Sequence, residues 1–464
     1  MADEQPQEEF QLNLHEQEPL KVTSPTVFVE AETPDPFLID DKEEEHPVSE
    51  EAVDEEQASS DVVISPTQDV PLDLPSSPQA TAPLSESEEE YVPEVYLPAL
   101  IAPTMFLPIP NTDPLTTLLN KYIYPPEKRP ARDLTGEWQR NDFHTLVMTN
   151  SWRALAKMAR DRLVTSDPTD LTLILGLWHL RLSCLARLRL FNQTSAECTN
   201  LFAVLNAIDL PDTREYVFER LLPFELGVMQ TRLRYWAGDH MGYLDALNAL
   251  LKKCRMKCRQ SGNDPTLVPM WKERGARVCL IIASQLVEMK EIIAAAKLLE
   301  PLCEQGDVSS PALRSSVGRI YLQGGNIQMA TKHFSLVAVD PNATETMKQM
   351  NAALLASAEG DWMKASNNLK AILEKDSENY VAVNNLSVAL LSQGKLKEAI
   401  EVLEKGLKAS PSSLVVVEPF LFNLSTLYEL KSTTGFEKKK ELLIEVAKWS
   451  GDGLKTQCLK MPAN

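Results

Sequence analysis

The stretch from 380 to 411, YVAVNNLSVALLSQGKLKEAIEVLEKGLKASP, constrains the fold more than any other part of the chain. Counted from Tyr380, it places Leu386 at position 7, Leu390 at 11, Gly394 at 15, Ala399 at 20, Leu403 at 24 and Pro411 at 32. Leu386 and Leu390 stand four residues apart and share one face of a helix. Gly394 supplies the permissive backbone that a tight turn after that helix requires. Ala399 is small where a second helix must cross the first, Leu403 continues the apolar stripe, and Pro411 ends it. A hairpin of this kind cannot bury its apolar surface alone, so it predicts stacked neighbours.

Those neighbours are present upstream. Counted from Thr346, Gly360 falls at 15, Ala365 at 20 and Leu369 at 24, with Ala352 and Ala356 in a weaker first helix. Counted from Pro311, Gly318 falls at 8, Tyr321 at 11, Gly325 at 15, Ala330 at 20 and Phe334 at 24. A fourth unit keeps Ala294 and Leu298 but has Met289 at the turn, so it is degenerate. Downstream, Asn423, Leu424 and Tyr428 open one more first helix, and a basic helix over 437–448 is expected to cap the stack. This spacing is that of the tetratricopeptide repeat (TPR). The predicted fold is all-α, a TPR-type helical-hairpin superhelical solenoid preceded by a long acidic disordered N-terminal tail.

Four segments follow from pattern and composition. Residues 1–90 hold 26 acidic residues against Lys21 and Lys42, while the remaining chain carries 40 acidic and 44 basic side chains. The net charge of −20 therefore belongs to the tail, which cannot bury enough apolar surface to offset its ordering entropy. Residues 91–135 form an extended, Pro-rich apolar strap or linker. Residues 136–273 read as irregular helical hairpins, with helices over 142–165, 169–190, 195–208, 213–236 and 243–259. Arg181, Arg187 and Arg189 are expected to emerge at one face of the second of these. Residues 274–464 hold the repeats, at about 275–309, 311–344, 346–379 and 380–413, and the capping helices.

Candidate functional residues fall in three groups. In the tail, Ser24, Thr33, Ser65 and Ser77 each precede proline, while Ser85 and Ser87 precede an acidic run, making six candidate phosphosites. In the strap, Tyr96, Leu97, Leu100, Ile101, Met105 and Phe106 would expose a large apolar patch if left in water. They therefore predict a docking strap, lying in a groove of the solenoid or of a partner. On the first helices of the repeats, Arg319, Gln323, Lys348, Asn351, Asn385 and Ser392 are candidate partner contacts on the concave face.

Chemistry is expected to be absent. No phosphate-cradling glycine loop, nucleophile elbow or zinc-binding helix motif occurs, and the six histidines show no paired spacing. Cys254 and Cys258 lie one helical turn apart with no second pair to complete a metal site. No catalytic residue, metal ligand, cofactor or small-molecule substrate is predicted. The near-neutral repeat region argues against nucleic acid. Seven scattered cysteines and an acidic N-terminus without a signal-like apolar core predict a cytoplasmic chain with no transmembrane anchor.

The acidic leader, the segment PEVYLPALIAP at 93–103, the helical block beginning near Trp138, and FNLSTLYELKS with TQCLK at 422–432 and 456–460 resemble the TPR-containing subunits of the transport protein particle (TRAPP) tethering complex. The resemblance implies a non-catalytic scaffold in endoplasmic reticulum to Golgi transport and Golgi organisation, assembled with large subunits 8, 11 and 13. It also implies a second role in mitosis, at the kinetochore. The alternative of a TPR co-chaperone requires lysine and asparagine at positions 5 and 9 of one repeat. Those positions hold Ser315 and Arg319, Met350 and Leu354, and Asn384 and Val388.

Overall fold

The computed structural model describes residues 93, 95–132, 139, 142–262, 264–304, 310–431 and 435–462. The tail over 1–90, with Ser24, Thr33, Ser65, Ser77, Ser85 and Ser87, lies outside the described residues. Among the described residues all regular structure is helical. Helix α1 (Pro114–Tyr122) stands within the strap. Then follow α2 (Phe143–Met148), α3 (Trp152–Thr165), α4 (Leu171–Arg187), α5 (Phe191–Asn206), α6 (Pro211–Tyr216), α7 (Phe224–Trp236) and α8 (His240–Gln260). The repeats proper comprise α9 (Leu267–Glu288), α10 (Ile292–Leu299), α11 (Pro311–Gln323), α12 (Ile327–Val339), α13 (Glu345–Ala358), α14 (Trp362–Lys375), α15 (Tyr380–Ser392) and α16 (Leu396–Ala409). A short α17 (Pro411–Leu414), α18 (Glu418–Leu430) and α19 (Gly435–Trp449) complete the array.

One turn geometry recurs along this array. At Gly325, Gly360 and Gly394 φ is +75°, +82° and +76°, and the following N–H donates to the carbonyl five residues back at 2.9 Å in each case. This left-handed residue with a back-donating successor satisfies the last carbonyls of the first helix. The same closure joins α2 to α3 at Asn150, α4 to α5 at Arg189, α7 to α8 at Gly238 and α9 to α10 at Lys290. Asp239, Asn326 and Asp361 then cap the second helix, each accepting from a backbone N–H three residues on. The block before the recognisable repeats thus uses the repeat's own turn, with side chains at Asn150 and Arg189 and glycine at Gly238, and the degenerate unit has Lys290 in its place.

Those side chains carry a conformational cost. Left-handed backbone costs a non-glycine residue about 1–2 kcal/mol, while glycine loses about 0.5–1 kcal/mol through unfolded-chain entropy. Lys290→Gly is therefore expected to stabilise the chain by roughly 0.5–1 kcal/mol. A thermal melt showing a lower midpoint for that variant would contradict the turn assignment.

Packing follows the repeat positions closely in the last three units. Ala330, Ala365 and Ala399 are fully buried, and Tyr321, Phe334, Leu369, Leu386, Leu390 and Leu403 are buried around them. At Gly318 an added Cβ would stand 2.5 Å from the Phe334 ring, so only glycine allows these helices their approach. Helix α16 ends at Ala409, with Ser410 before the proline at φ −136°, and Pro411 itself opens α17, where its missing N–H is harmless.

Several expectations are corrected. The expected helix over 142–165 breaks at Asn150 into α2 and α3, and that over 213–236 breaks into α6, a π-turn (Val217–Leu221) and α7 at Pro223. The described residues of 91–135 are not uniformly extended: they contain three 3₁₀ turns and α1, which Asp113 caps. In the degenerate unit Ala295 and Leu299 are buried where Ala294 and Leu298 were expected, one position on, because the turn residue is Lys290 rather than Met289. Ala352 is exposed and its neighbour Ala353 is buried. The helix expected to cap the stack is itself covered: α1 packs on α19, and Leu115, Leu119 and Ile123 join the core cluster of the last repeats.

Candidate interaction surfaces

The strap is seated on this chain at both ends of the array. Its first half lies on α3, α4 and α5, where Leu100 is fully buried and its carbonyl accepts from the Trp178 indole at 3.0 Å. Phe106 stacks on Trp178 with centroids 4.9 Å apart. Leu97, Ile101 and Met105 are partly buried on the same cluster, whereas Tyr96 is exposed and makes no part of the seat.

Arg181 fixes that seat. It was expected at an emerging face, yet it is 1% exposed. Its guanidinium donates to both carboxylate oxygens of Glu197, at 2.7 and 2.6 Å, and to the carbonyls of Ala156 and Leu107, each at 3.1 Å. Glu197 in turn accepts from the Leu107 N–H at 2.8 Å, and the guanidinium lies 5.1 Å from the Phe106 ring. A buried ion pair survives only with such complete hydrogen bonding. Arg181 is turned inward because the strap and Glu197 supply partners that water would otherwise provide.

The second half of the strap joins the C-terminal end of the array to its beginning. Arg132 donates to Asp113 at 2.5 and 3.2 Å and to the carbonyls of Ala447, Ser450 and Gly451 at 2.8, 2.7 and 3.1 Å. Gly451 and Gly453 donate their N–H groups to the carbonyls of Thr149 and Asn150 in the turn between α2 and α3. A Cβ on Gly453 would stand 2.2 Å from the Trp152 ring, so the segment approaches only as glycine. Arg153 pairs with Asp452 at 3.6 Å, and the Tyr122 hydroxyl donates to the Pro462 carbonyl. The two ends of the solenoid thereby meet directly, residues 451–453 against 149–153, with α1 and Arg132 packed on the C-terminal side and the Thr112 carbonyl accepting from Arg153.

Two carboxyls of the latch titrate in opposite senses. Burial would raise Asp113, but the hydrogen bond and charge of Arg132, with help from Thr116, hold it below the usual range. Asp452 is pushed up, because burial outweighs the Arg153 charge. A carboxyl lowered in the folded state contributes stability above its unfolded pKa of about 3.9 and loses it as pH falls. A raised one opposes folding while ionised and favours folding as it takes up a proton. Asp113→Asn is therefore expected to depress the melting midpoint at about pH 7, with a deficit that shrinks toward about pH 3, and to cost more than Asp452→Asn. Equal losses for the two variants would contradict the assignment.

The first helices of the later repeats form a second surface. Ser315 donates to Asn351 at 2.7 Å, Asn385 reaches the Met350 sulfur at 3.7 Å, and Asn423 donates to Asn384 at 2.9 Å. These cross-repeat bonds set α11, α13, α15 and α18 side by side. Arg319, Gln323 and Ser392 are exposed, and Lys348 and Asn385 half-buried. Asn351, expected as a partner contact, is buried, because its amide spans two repeats. Large apolar side chains stand exposed on this surface: Val381, Val388 and Phe422, the last with the Lys460 ammonium 5.2 Å from its ring. Sequence reading assigned none of these three, although Val388 and Phe422 occupy positions 5 or 9 of their units.

Cys254 is buried, and that burial pushes its thiol up to about 11, an environment for a packed side chain rather than a reactive one. Among the described residues no group of three or more His, Cys, Asp or Glu could hold a metal ion. Nor is any described helix long and apolar enough to cross a membrane.

A tetratricopeptide repeat family model matches residues 350–413. The human protein named trafficking protein particle complex subunit 12 is 29% identical over 357 residues, covering 68% of this chain and 47% of its own length. The mouse protein of that name is 29% identical over 356 residues, covering 68% and 44%. This chain thus spans less than half the length of the curated relatives it matches, and its resemblance to the TPR-containing TRAPP subunits is borne out. Among solved structures, a tetratricopeptide repeat protein from Parabacteroides merdae ATCC 43184 aligns over 59% of this chain and 99% of its own, at 13% identity. Its TM-score of 0.34 is too low to bear on the fold.

Proposed function

We propose that this chain, a tetratricopeptide-repeat relative of subunit 12 of the trafficking protein particle complex, is a non-catalytic scaffold subunit of a TRAPP-type tether. Its place is peripheral on membranes of the endoplasmic reticulum to Golgi route, held there through partner subunits, with large subunits 8, 11 and 13 as the proposed neighbours. The observation that carries this reading is the set of exposed apolar side chains Val381 and Val388 on α15 and Phe422 on α18, the first helices of two neighbouring units. Apolar side chains left in water on neighbouring helices fit a protein contact, and truncating the aromatic Phe422 as an anchor is expected to cost about 2 kcal/mol of binding.

The absence of the lysine and asparagine clamp turns the surface away from acidic C-terminal peptides and toward an apolar partner face. Affinity purification of the full chain, beside a full chain carrying Val388→Glu and Phe422→Ala, tests the proposal. The wild-type chain is expected to recover large TRAPP subunits and the variant to lose most of them, with unchanged circular dichroism. Recovery of TRAPP subunits with neither protein would contradict the family function, whereas equal recovery with both would place the contact elsewhere.

A further inference from the structure

An open groove of about 310 Å³ lies between α5, the turn Val217–Leu221, α7, α8 and α9. Pro223 interrupts the path from α6 to α7 there, so the helices do not close over it. Phe202, Phe218, Leu222, Phe224, Leu250 and Trp271 form its apolar walls. Its charge is one-sided. The single lining carboxylate, Glu219, is already neutralised by Lys257 at 2.6 Å. Lys253 and Arg274 line the groove without an ion pair among the described residues, Arg274 lying over the Phe224 and Trp271 rings at 5.3 and 4.7 Å.

An apolar trough with two uncompensated cations fits a short acidic segment bearing an apolar side chain. The chain carries one beside the groove. Val95 and Leu97 pack on the hydrophobic cluster to which the groove residues Phe202, Phe218 and Leu222 belong, so the acidic segment leaves the described chain from that cluster. Immediately before come Leu84, Glu86, Glu88, Glu89, Glu90 and Tyr91. From 84 to 95 an extended chain reaches at most roughly 36–40 Å, and so short a tether gives an effective concentration on the order of millimolar.

We infer that residues 84–92 bind this groove in cis, with Leu84 in the trough and the glutamates against Lys253 and Arg274. The same segment holds Ser85 and Ser87, and a phosphate on either adds charge to this contact and tightens it. A partner that presents a similar acidic and apolar segment then has to displace the chain's own.

The test is photocrosslinking in the full chain with Leu84→p-benzoylphenylalanine. The expected product is an intrachain crosslink to peptides containing Phe218, Leu250 or Trp271. Its yield is expected to fall at least fivefold when Glu86, Glu88, Glu89 and Glu90 are changed to Gln, changes that lie outside every described helix. Lys253→Glu with Arg274→Glu should give the same loss, and Glu88→Lys with Glu89→Lys should restore yield only in that charge-reversed background. Crosslinks indifferent to charge, crosslinks elsewhere on the chain, or crosslinks only between two copies would each overturn the inference.

Discussion

Replacing Arg181 with methionine is expected to cost about 3–5 kcal/mol of stability, because it leaves a buried carboxylate without its charge partner. Glu197 would keep only the Leu107 N–H, and the carbonyls of Ala156 and Leu107 would lose their donor. The strap should loosen with it, since Leu107 is held by both members of the pair. Adding Glu197→Leu to Arg181→Met should recover part of the loss, because both buried charges are then gone. Chemical denaturation of the two single variants and the double variant measures this. Additive losses would show that the two side chains are not coupled.

Arg132→Ala is expected to have a comparable effect, about 3–5 kcal/mol, at the other end of the strap. One guanidinium there satisfies three backbone carbonyls at the end of α19 and beyond, as well as both oxygens of Asp113. Removing it strands acceptors that neighbouring chain segments keep from water, while Asp113 retains its cap on α1. Arg132→Lys should rescue little, because a single ammonium cannot reach carbonyls and carboxylate in the planar fork arrangement. Hydrogen exchange should locate the damage in α1, α19 and residues 450–462, with the middle repeats unchanged. Uniform loss of protection throughout would instead mean that the latch is inseparable from the whole fold.

What the sequence made legible follows from which constraints are local. Gly325, Gly360 and Gly394, with Ala330, Ala365 and Ala399, encode a turn and a helix crossing within one hairpin, so their spacing could be read directly. The turns at Asn150, Arg189 and Lys290 share that geometry but hide it, because tertiary packing holds a left-handed backbone that the residue does not announce. The degenerate unit slipped by one position for the same reason. Arg181 looked like a surface charge because its partners, Glu197 and the Leu107 backbone, lie 16 and 74 residues away. The strap's apolar content pointed to a docked element, yet only the folded chain shows its seat. Asn351 was legible as polar but not as a residue spanning two repeats.

The latch also gives the array a property that an open solenoid lacks. In a linear stack each repeat contacts only its neighbours, and the ends are free to fray. Here α1 covers the last helix, while the strap also reaches the first helices.

Hydrogen exchange over residues 97–123 in the full chain tests the central claim, that the strap is an internal element joining both ends of the array. The account predicts that Leu100, Phe106, Leu107 and the amides of α1 exchange as slowly as those of α15 and α16. Complete exchange of that segment within seconds, beside protected repeats, would contradict it.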